Sequence, residues 1–198
     1  MGEHKEEIFI HKKFFKVPFV VISGPSAGGK TDLSKKLEKY FPELCLLIKY
    51  TDRKPRATEK NFQDYFFVST EEFEKKITAI SALVRVYRYE HEYALSVSEV
   101  EKSLNLRKIP VFILDPNAAL KFKKVYTNSI LIFVAPKSVE VIRNRIKERK
   151  EPLDEIEKRL ENLNEEYSLR HLFDINDYCI DFFSVMEKLR EKIAEIRR

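Results

Sequence analysis

Glycine is scarce in this chain of 198 residues: there are four, and three of them stand at Gly24, Gly28 and Gly29. No glycine-rich linker can be drawn, and neither an internal repeat nor a low-complexity tract interrupts the sequence. Cysteine occurs twice, at Cys45 and Cys179, each inside an apolar strand-like run. Without close cysteine spacing there is no disulfide framework and no zinc or redox motif; both are expected as buried free thiols in a reducing compartment. No apolar run approaches the roughly 18 residues needed to cross a membrane. The opening MGEHKEEIFIHKK is too charged for a signal peptide, and Gly2 makes no myristoylation site because Glu6 stands where Ser or Thr is required. Neither sign of charge dominates: 37 Lys and Arg are interspersed with 32 Asp and Glu, for a net charge of +5. That balance suits solubility and an anionic ligand without demanding a polynucleotide. The expectation is a cytoplasmic protein, monomer or homodimer, with neither nucleic acid nor membrane as partner.

What is present is enough for one sizeable core, at 43% hydrophobic content. The short apolar runs PFVVIS (18–23), LCLLIK (44–49), IPVFIL (109–114) and SILIFV (129–134) read as buried strands. Helical periodicity fills the stretches near 30–41, 97–107, 116–124 and 137–148 between and beyond them. Such alternation predicts an α/β domain with a largely parallel sheet covered by helices on both faces. The middle differs: DYFFVS (64–69) and ALVRVYRYEHEYAL (82–95) alternate polar and aromatic residues, which predicts a small, half-exposed sub-sheet beside the main core. Leu153, Ile156, Leu160, Leu163 and Tyr167 sustain a long amphipathic helix, and 185–196 closes the chain with another.

Gly24-Pro25-Ser26-Ala27-Gly28-Gly29-Lys30-Thr31 fits G-x-x-x-x-G-K-[ST], after a predicted strand and before a predicted helix. The glycines permit a turn whose N–H groups point inward at phosphate oxygens, and the helix that follows adds the partial positive charge of its N-terminus. Lys30 is expected at the β- and γ-phosphates and the Thr31 hydroxyl on Mg²⁺, so the loop is expected to hold a nucleoside triphosphate, ATP.

A second anion site is suggested by YTDRKPRATEKNFQDYFFVS, Tyr50 to Ser69. Arg53 and Arg56, three residues apart around Pro55, can converge on one tetrahedral anion, and the Tyr65 hydroxyl can donate to the same oxygens. A solvated basic loop is the alternative. Positive charge for phosphoryl transfer is available downstream, where Arg145 and Arg149 lie four apart on one helical face and Arg159 follows Pro152; a solvated helix face is again the alternative.

Taken together, GPSAGGKT, TDRKPRATEKNFQDYFFVSTEEF, Tyr93, ILD at 113–115 and APKSVEVIRNRIKER follow the order and spacing of guanylate kinases, over roughly residues 18–197. The most specific part is R-x-P-R…E…D-Y-x-F, filled by Arg53, Pro55, Arg56, Glu59, Asp64, Tyr65 and Phe67. The resemblance implies a P-loop kinase three-layer fold with a mainly parallel sheet, a small mixed acceptor-binding lobe and a helical lid. It implies a single domain over 1–198, with a core at about 17–49, 97–135 and 170–198, a movable acceptor lobe at about 50–96 and a lid at about 137–160. It further implies that Arg53, Arg56, Tyr65 and Tyr93 hold the acceptor's phosphate, and that Arg149 and Arg159 close over the phosphates, with a loop between them about one residue shorter than usual. Asp115 matches the first acidic residue of a D-x-D and would order Mg²⁺ or its water; a strand-end aspartate capping the next helix is the alternative.

The chain departs from the family where guanine would be read. By register, Lys49 takes the place of a serine, Val84 that of the glutamate facing the guanine N1 and N2 edge, Leu95 that of a Ser or Thr, and Asn117 that of the second aspartate of D-x-D. Between Ile77 and Tyr89 no acidic residue occurs, so no small shift of register restores the glutamate. The usual Asn-Asp-Asp after the last strand is replaced by Asp181-Phe182-Phe183, on the side of the donor base. Three functions stay open: a phosphotransferase from ATP to a small phosphorylated acceptor, a nucleoside monophosphate with altered base selectivity; an enzyme similar to ribose 1,5-bisphosphate kinases, which share a basic residue before Tyr as at Lys49-Tyr50; and a non-catalytic binding module for nucleotide or phosphopeptide. Retention of Lys30, Thr31, Asp115, Arg149 and Arg159 together favours catalysis.

Overall fold

In chain order the elements are β1 (Glu7–Ile10), β2 (Val20–Ser23), α1 (Lys30–Tyr40), β3 (Leu44–Leu46), β4 (Lys49–Thr51), β5 (Tyr65–Phe67), α2 (Thr70–Lys76), β6 (Ala82–Arg88), β7 (His91–Ser96) and α3 (Val97–Asn105). There follow β8 (Ile109–Ile113), α4 (Pro116–Val125), β9 (Ile130–Phe133), α5 (Val139–Lys147), α6 (Leu153–Ser168), a 3₁₀ turn (Leu169–Leu172) and α7 (Phe182–Ile196). The computed structural model describes residues 7–13, 15, 17–56, 58–78, 81–148, 153–176 and 181–196. They divide into two compact units, one from the described residues of Met1–Lys16 and Leu47–Lys108, the other from those of Val17–Leu46 and Ile109–Arg198.

The second unit is built on a parallel four-stranded sheet in the order β3-β8-β2-β9. Successive side chains of a strand point to opposite faces, and here both faces are covered, which is why these strands read as unbroken apolar runs. Val20 and Ile22 of β2, Val111 of β8 and Ile132 of β9 pack against Leu33 and Leu37 of α1 and Val185 and Leu189 of α7. The opposite face carries an aromatic cluster: Phe19 meets Phe112, Phe122 and Tyr126 edge-on at 6.1, 5.4 and 5.1 Å, joining the sheet to α4. The result is three layers. Beyond β9, α5 packs on α6, and the Tyr167 hydroxyl at the far end of α6 donates to the carbonyls of Pro136 (3.1 Å) and Lys137 (2.9 Å), tying the two ends of this helical pair together.

The first unit holds a mixed five-stranded sheet in the order β1-β6-β7-β4-β5, antiparallel except for the β4–β5 pair. Register fixes its faces. Ile10 pairs with Val84 and Val84 with Leu95; Lys49 lies one step from the Tyr50–Ala94 pair, and so opposite Leu95, and itself pairs with Tyr65. A row Ile10, Val84, Leu95, Lys49, Tyr65 thus crosses all five strands on one face, with the row Ile8, Val86, Tyr93, Thr51, Phe67 beside it. The other face packs on α2 through Phe73 and Ile77. There Arg85 bridges Glu92 at 2.8 Å and Glu74 of α2 at 2.5 Å, bonds that hold its pKa above the ordinary arginine value.

Two elements go beyond the sequence reading. β1 is too short for its alternation to stand out among charged neighbours, and α2 is announced only by a capping box, in which Ser69 accepts from the Glu72 N–H and Glu72 reaches back to the Ser69 N–H. The single strand expected over 44–49 is two, β3 and β4, in different sheets; one apolar run conceals where the chain passes from one sheet to the other.

Candidate active site

The sequence GPSAGGKT forms a turn between β2 and α1 whose shape depends on three residues. Gly24 has φ +136°, and a Cβ there would lie 2.1 Å from the Val134 carbonyl oxygen; at Gly28 it would lie 2.7 Å from the same oxygen. Ala27, at φ 60°, takes a left-handed conformation without being glycine. Helices α2 to α5 each begin with a side chain accepting from a first-turn N–H, through Ser69, Ser96, Asp115 and Ser138. Gly29 begins α1 with no such cap. Its first-turn donors and its dipole are therefore available to an anion.

Lys30 Nζ donates to the carbonyls of Gly24 (2.8 Å) and Pro25 (2.7 Å), curling back over the loop. Arg145 Nη1 reaches the Ala27 carbonyl at 3.3 Å from α5, and Arg159 Nη1 reaches Ser26 Oγ at 3.2 Å from α6. Two arginines from the helical pair thus converge on the loop, Arg159 with only 6% of its surface exposed. Arg149, expected beside them, lies outside the described residues, as does Cys179. Asp115 ends the segment after β8 as the N-cap of α4, Oδ1 accepting from Ala118 N at 2.9 Å, with Asn117 in the first turn behind Pro116. One oxygen is committed to the cap, which leaves the other for a ligand. Thr31 stands exposed in the first turn of α1. Among the described residues no three His, Cys, Asp or Glu gather as a metal cluster. Mg²⁺ asks for less: one or two protein oxygens, with phosphate and water completing its octahedron, and a hydroxyl with one carboxylate oxygen fits that demand.

In the first unit, Glu59 gathers both arginines of the R-x-P-R stretch. Its carboxylate takes Arg53 Nη2 at 3.0 and 2.9 Å, the Arg56 N–H at 2.8 Å and Arg56 Nη1 at 3.2 Å. Arg53 is 6% exposed and lies 5.5 Å from the ring centres of Tyr65 and Phe67. Burial works against its charge, yet Tyr93, Glu59 and Tyr65 together hold its pKa above the ordinary arginine value. Lys49 Nζ sits 5.8 Å from the Tyr65 ring and 5.5 Å from the Tyr93 ring, and the two rings meet edge-on at 6.0 Å. Burial raises the Tyr65 pKa, with Arg53 opposing, so its phenol stays a proton donor at neutral pH. Lys49, Arg53, Arg56, Tyr65 and Tyr93 are thus brought together in one unit, and Lys30, Arg145 and Arg159 in the other. Val84 and Leu95 share the sheet face of Lys49 and Tyr65 but keep 1% and 0% of their surface. The sequence reading missed the role of Glu59 as the tie between the arginines; its spacing three residues beyond Arg56 was the available signal.

Residues 16–195 match the family model described as guanylate kinase. The guanylate kinase of Protochlamydia amoebophila is 34% identical over 182 residues, covering 90% of this chain and 91% of that protein. That of Caldanaerobacter subterraneus subsp. tengcongensis is 37% identical over 175 residues, covering 86% and 84%. The crystal structure of guanylate kinase from Anaplasma phagocytophilum shares the fold with a TM-score of 0.70 at 21% identity, over 92% of this chain and 87% of that one. Among the described residues no helix is long and apolar enough to cross a membrane. A loop that offers uncapped N–H groups and a lysine, two arginines aimed at it, and a family match along nearly the whole sequence have one reading: the chain belongs to the guanylate kinase family, and so to the ATP-dependent nucleoside monophosphate kinases.

Proposed function

We propose that this chain moves the γ-phosphoryl group of ATP onto the phosphate of a nucleoside monophosphate, and that its selectivity for guanine is relaxed. The observation that carries the first half is the pair Arg53 and Arg56, held on one carboxylate beside Lys49, Tyr65 and Tyr93, a cationic, donor-rich cluster of the kind a phosphate dianion requires. An acceptor phosphate oxygen forms the new bond to the γ-phosphorus as the bond from that phosphorus to the β–γ bridging oxygen breaks, leaving ADP and a nucleoside diphosphate. The attacking oxygen is already anionic near neutral pH, so no general base is needed. The task of the chain is position and charge: Lys30 and the α1 N-terminus on the donor phosphates, Arg145, Arg149 and Arg159 on the transferring group, and Arg53, Arg56, Tyr65 and Tyr93 on the acceptor phosphate, with Lys49 beside them. Mg²⁺ held by Thr31 and Asp115 would neutralise charge on the donor phosphates.

Relaxed selectivity is supported by Val84 and Leu95. A site that pairs with a ligand's edge discriminates by about 10⁴-fold, and neither side chain carries a group that could make such a pair. The test is ADP release from ATP and Mg²⁺ with each of GMP, dGMP, AMP, CMP, UMP and ribose 1,5-bisphosphate. Turnover of at least one nucleoside monophosphate is expected, with GMP favoured over AMP by less than about a hundredfold. Strict, efficient use of GMP would remove the claim of relaxed selectivity. Turnover of ribose 1,5-bisphosphate alone would make the acceptor a sugar phosphate, and no turnover at all would leave a binding module.

A further inference from the structure

We infer that Asp52 is a positioning residue of the acceptor site: from the far side of the sheet, its carboxylate fixes the spacing of Arg53 and Tyr93. This rests on the proposal above that those two side chains hold the acceptor's phosphate. Strand β4 ends at Thr51, whose partner on β7 is Tyr93, so Asp52 stands opposite Glu92, where the ladder would continue. The main chain bends at Asp52 and Arg53 instead, and the side chain takes over the bond: Asp52 Oδ1 accepts the Glu92 N–H at 2.9 Å. Oδ2 accepts from Thr70 Oγ1, in the first residue of α2, at 3.4 Å, and His91 Nδ1 stands 3.5 Å from Oδ1. One carboxylate, on a side chain only 11% exposed, thus ties β4, β7 and α2 together on the α2 side of the sheet. Thr51 and Tyr93 share the opposite face with Phe67. Asp52 immediately precedes Arg53, and its bonding partner Glu92 immediately precedes Tyr93. Beyond the bend the Arg53 N–H donates to Thr51 Oγ1 at 3.2 Å, and its guanidinium lies 5.5 Å from the Tyr65 ring, which meets the Tyr93 ring at 6.0 Å. The Glu92 carboxylate is engaged separately, by Arg85. What Asp52 holds is therefore main chain on both sides of the cluster. A donor displaced by about 0.5 Å leaves hydrogen-bond range, so two donors meant for one phosphate need such a tie.

Affinity is read as thermal protection of the full chain by GMP, AMP, CMP and UMP and, separately, by ATP with Mg²⁺, so that no turnover is required. Asp52→Ala leaves the Glu92 N–H without its acceptor and is expected to weaken monophosphate binding by about five- to tenfold, with ATP binding unchanged. Asp52→Asn, whose amide oxygen still accepts that N–H, is expected to stay within about twofold of the parent. Ser96→Ala is the structural control: it removes the capping bond of α3 at the other end of β7 and costs stability, with monophosphate affinity expected within about twofold of the parent. In a Tyr93→Phe background the further loss caused by Asp52→Ala is expected to shrink to about twofold or less, because a spacing matters only while both groups are present. Asp52→Ser, with a shorter side chain, carries the same expectation as Asp52→Ala and decides the question if that variant does not fold. An unmoved affinity in Asp52→Ala, an equal loss in Ser96→Ala, or the full loss added to that of Tyr93→Phe would overturn the assignment and leave Asp52 a stabilising residue only. Failure of the phosphate reading shows elsewhere, as Arg56→Ala and Tyr93→Phe variants that bind every monophosphate as the parent does. That result, or protection of the parent by none of the monophosphates, would overturn both.

Discussion

Arg53 and Glu59 meet through two bonds, 3.0 and 2.9 Å long, and the same carboxylate holds the Arg56 backbone and guanidinium. Removing the Glu59 charge frees two guanidinium groups from one geometry. Glu59→Gln is expected to raise the acceptor KM by about tenfold and to lower stability by about 1–3 kcal/mol, with KM for ATP unchanged. Initial-rate kinetics with either substrate varied and thermal denaturation check the two halves separately; a changed ATP KM would move the cluster out of the acceptor site.

Arg56 is the more exposed of the two arginines, with 31% of its side chain accessible against 7% for Arg53. Arg56→Ala should cost acceptor binding one charged hydrogen bond, about 1.5–3 kcal/mol or roughly ten- to a hundredfold in KM, with little loss of stability. Arg53→Ala should lose both, since it also leaves Glu59 short of its buried partner. Similar melting temperatures for the two variants would contradict this division of labour.

Lys30 lies on the loop with its ammonium turned onto the Gly24 and Pro25 carbonyls. Lys30→Ala is expected to reduce kcat by about a hundredfold or more, with the melting temperature of the ligand-free protein within a few degrees of the parent. An unchanged kcat would take the loop out of the mechanism.

Tyr65 gives a pH prediction. Its pKa is raised on folding, so the folded state holds the phenolic proton more tightly than the unfolded one. Its contribution is complete below the unfolded value of about 10 and is lost as pH rises through the folded value. The melting temperature should therefore fall above about pH 10, and Tyr65→Phe should fall less steeply over the same window. Parallel pH curves for parent and variant would show that Tyr65 does not titrate differently on folding.

The hairpin between β6 and β7 turns at Tyr89 and Glu90 with φ of 50° and 64°, a pair of left-handed residues neither of which is glycine. Glu90→Gly should raise stability by about 0.5–1 kcal/mol, the relief of left-handed strain exceeding the added freedom of the unfolded chain. Denaturant unfolding measures it, and a loss of stability would mean that contacts of the Glu90 side chain outweigh the strain.

Most helices were legible in the sequence from their apolar spacing, with which the caps of α3, α4 and α5 agree: α1, α3, α4 and α5 fall within about two residues of the expected spans. The parallel strands were legible as runs, but a run says nothing of partners, and the passage from β3 to β4 inside LCLLIK followed from neither propensity nor period. Of the site, the loop with Lys30 and the arginines of R-x-P-R were visible as motifs. The bonds of Arg145 and Arg159 to loop residues more than a hundred positions away, and the capping bond of Asp115, are tertiary facts that spacing alone does not encode.

The place of β2 in the middle of its sheet bears on how the molecule comes into being. Val20 pairs with Val111 on one side and with Ile130 on the other, so the strand that carries the phosphate loop has no neighbour until the chain beyond position 108 has been made. The β6–β7 hairpin, by contrast, closes through a two-residue turn. Local pairing forms early and distant pairing late. The loop packs on the Val134 carbonyl, later still, which makes nucleotide binding one of the last properties the nascent chain acquires. A nucleotide that protects the protein is therefore a reporter of the whole parallel sheet, since no piece of the sequence that ends before Val134 holds both its four strands and the carbonyl against which the loop packs.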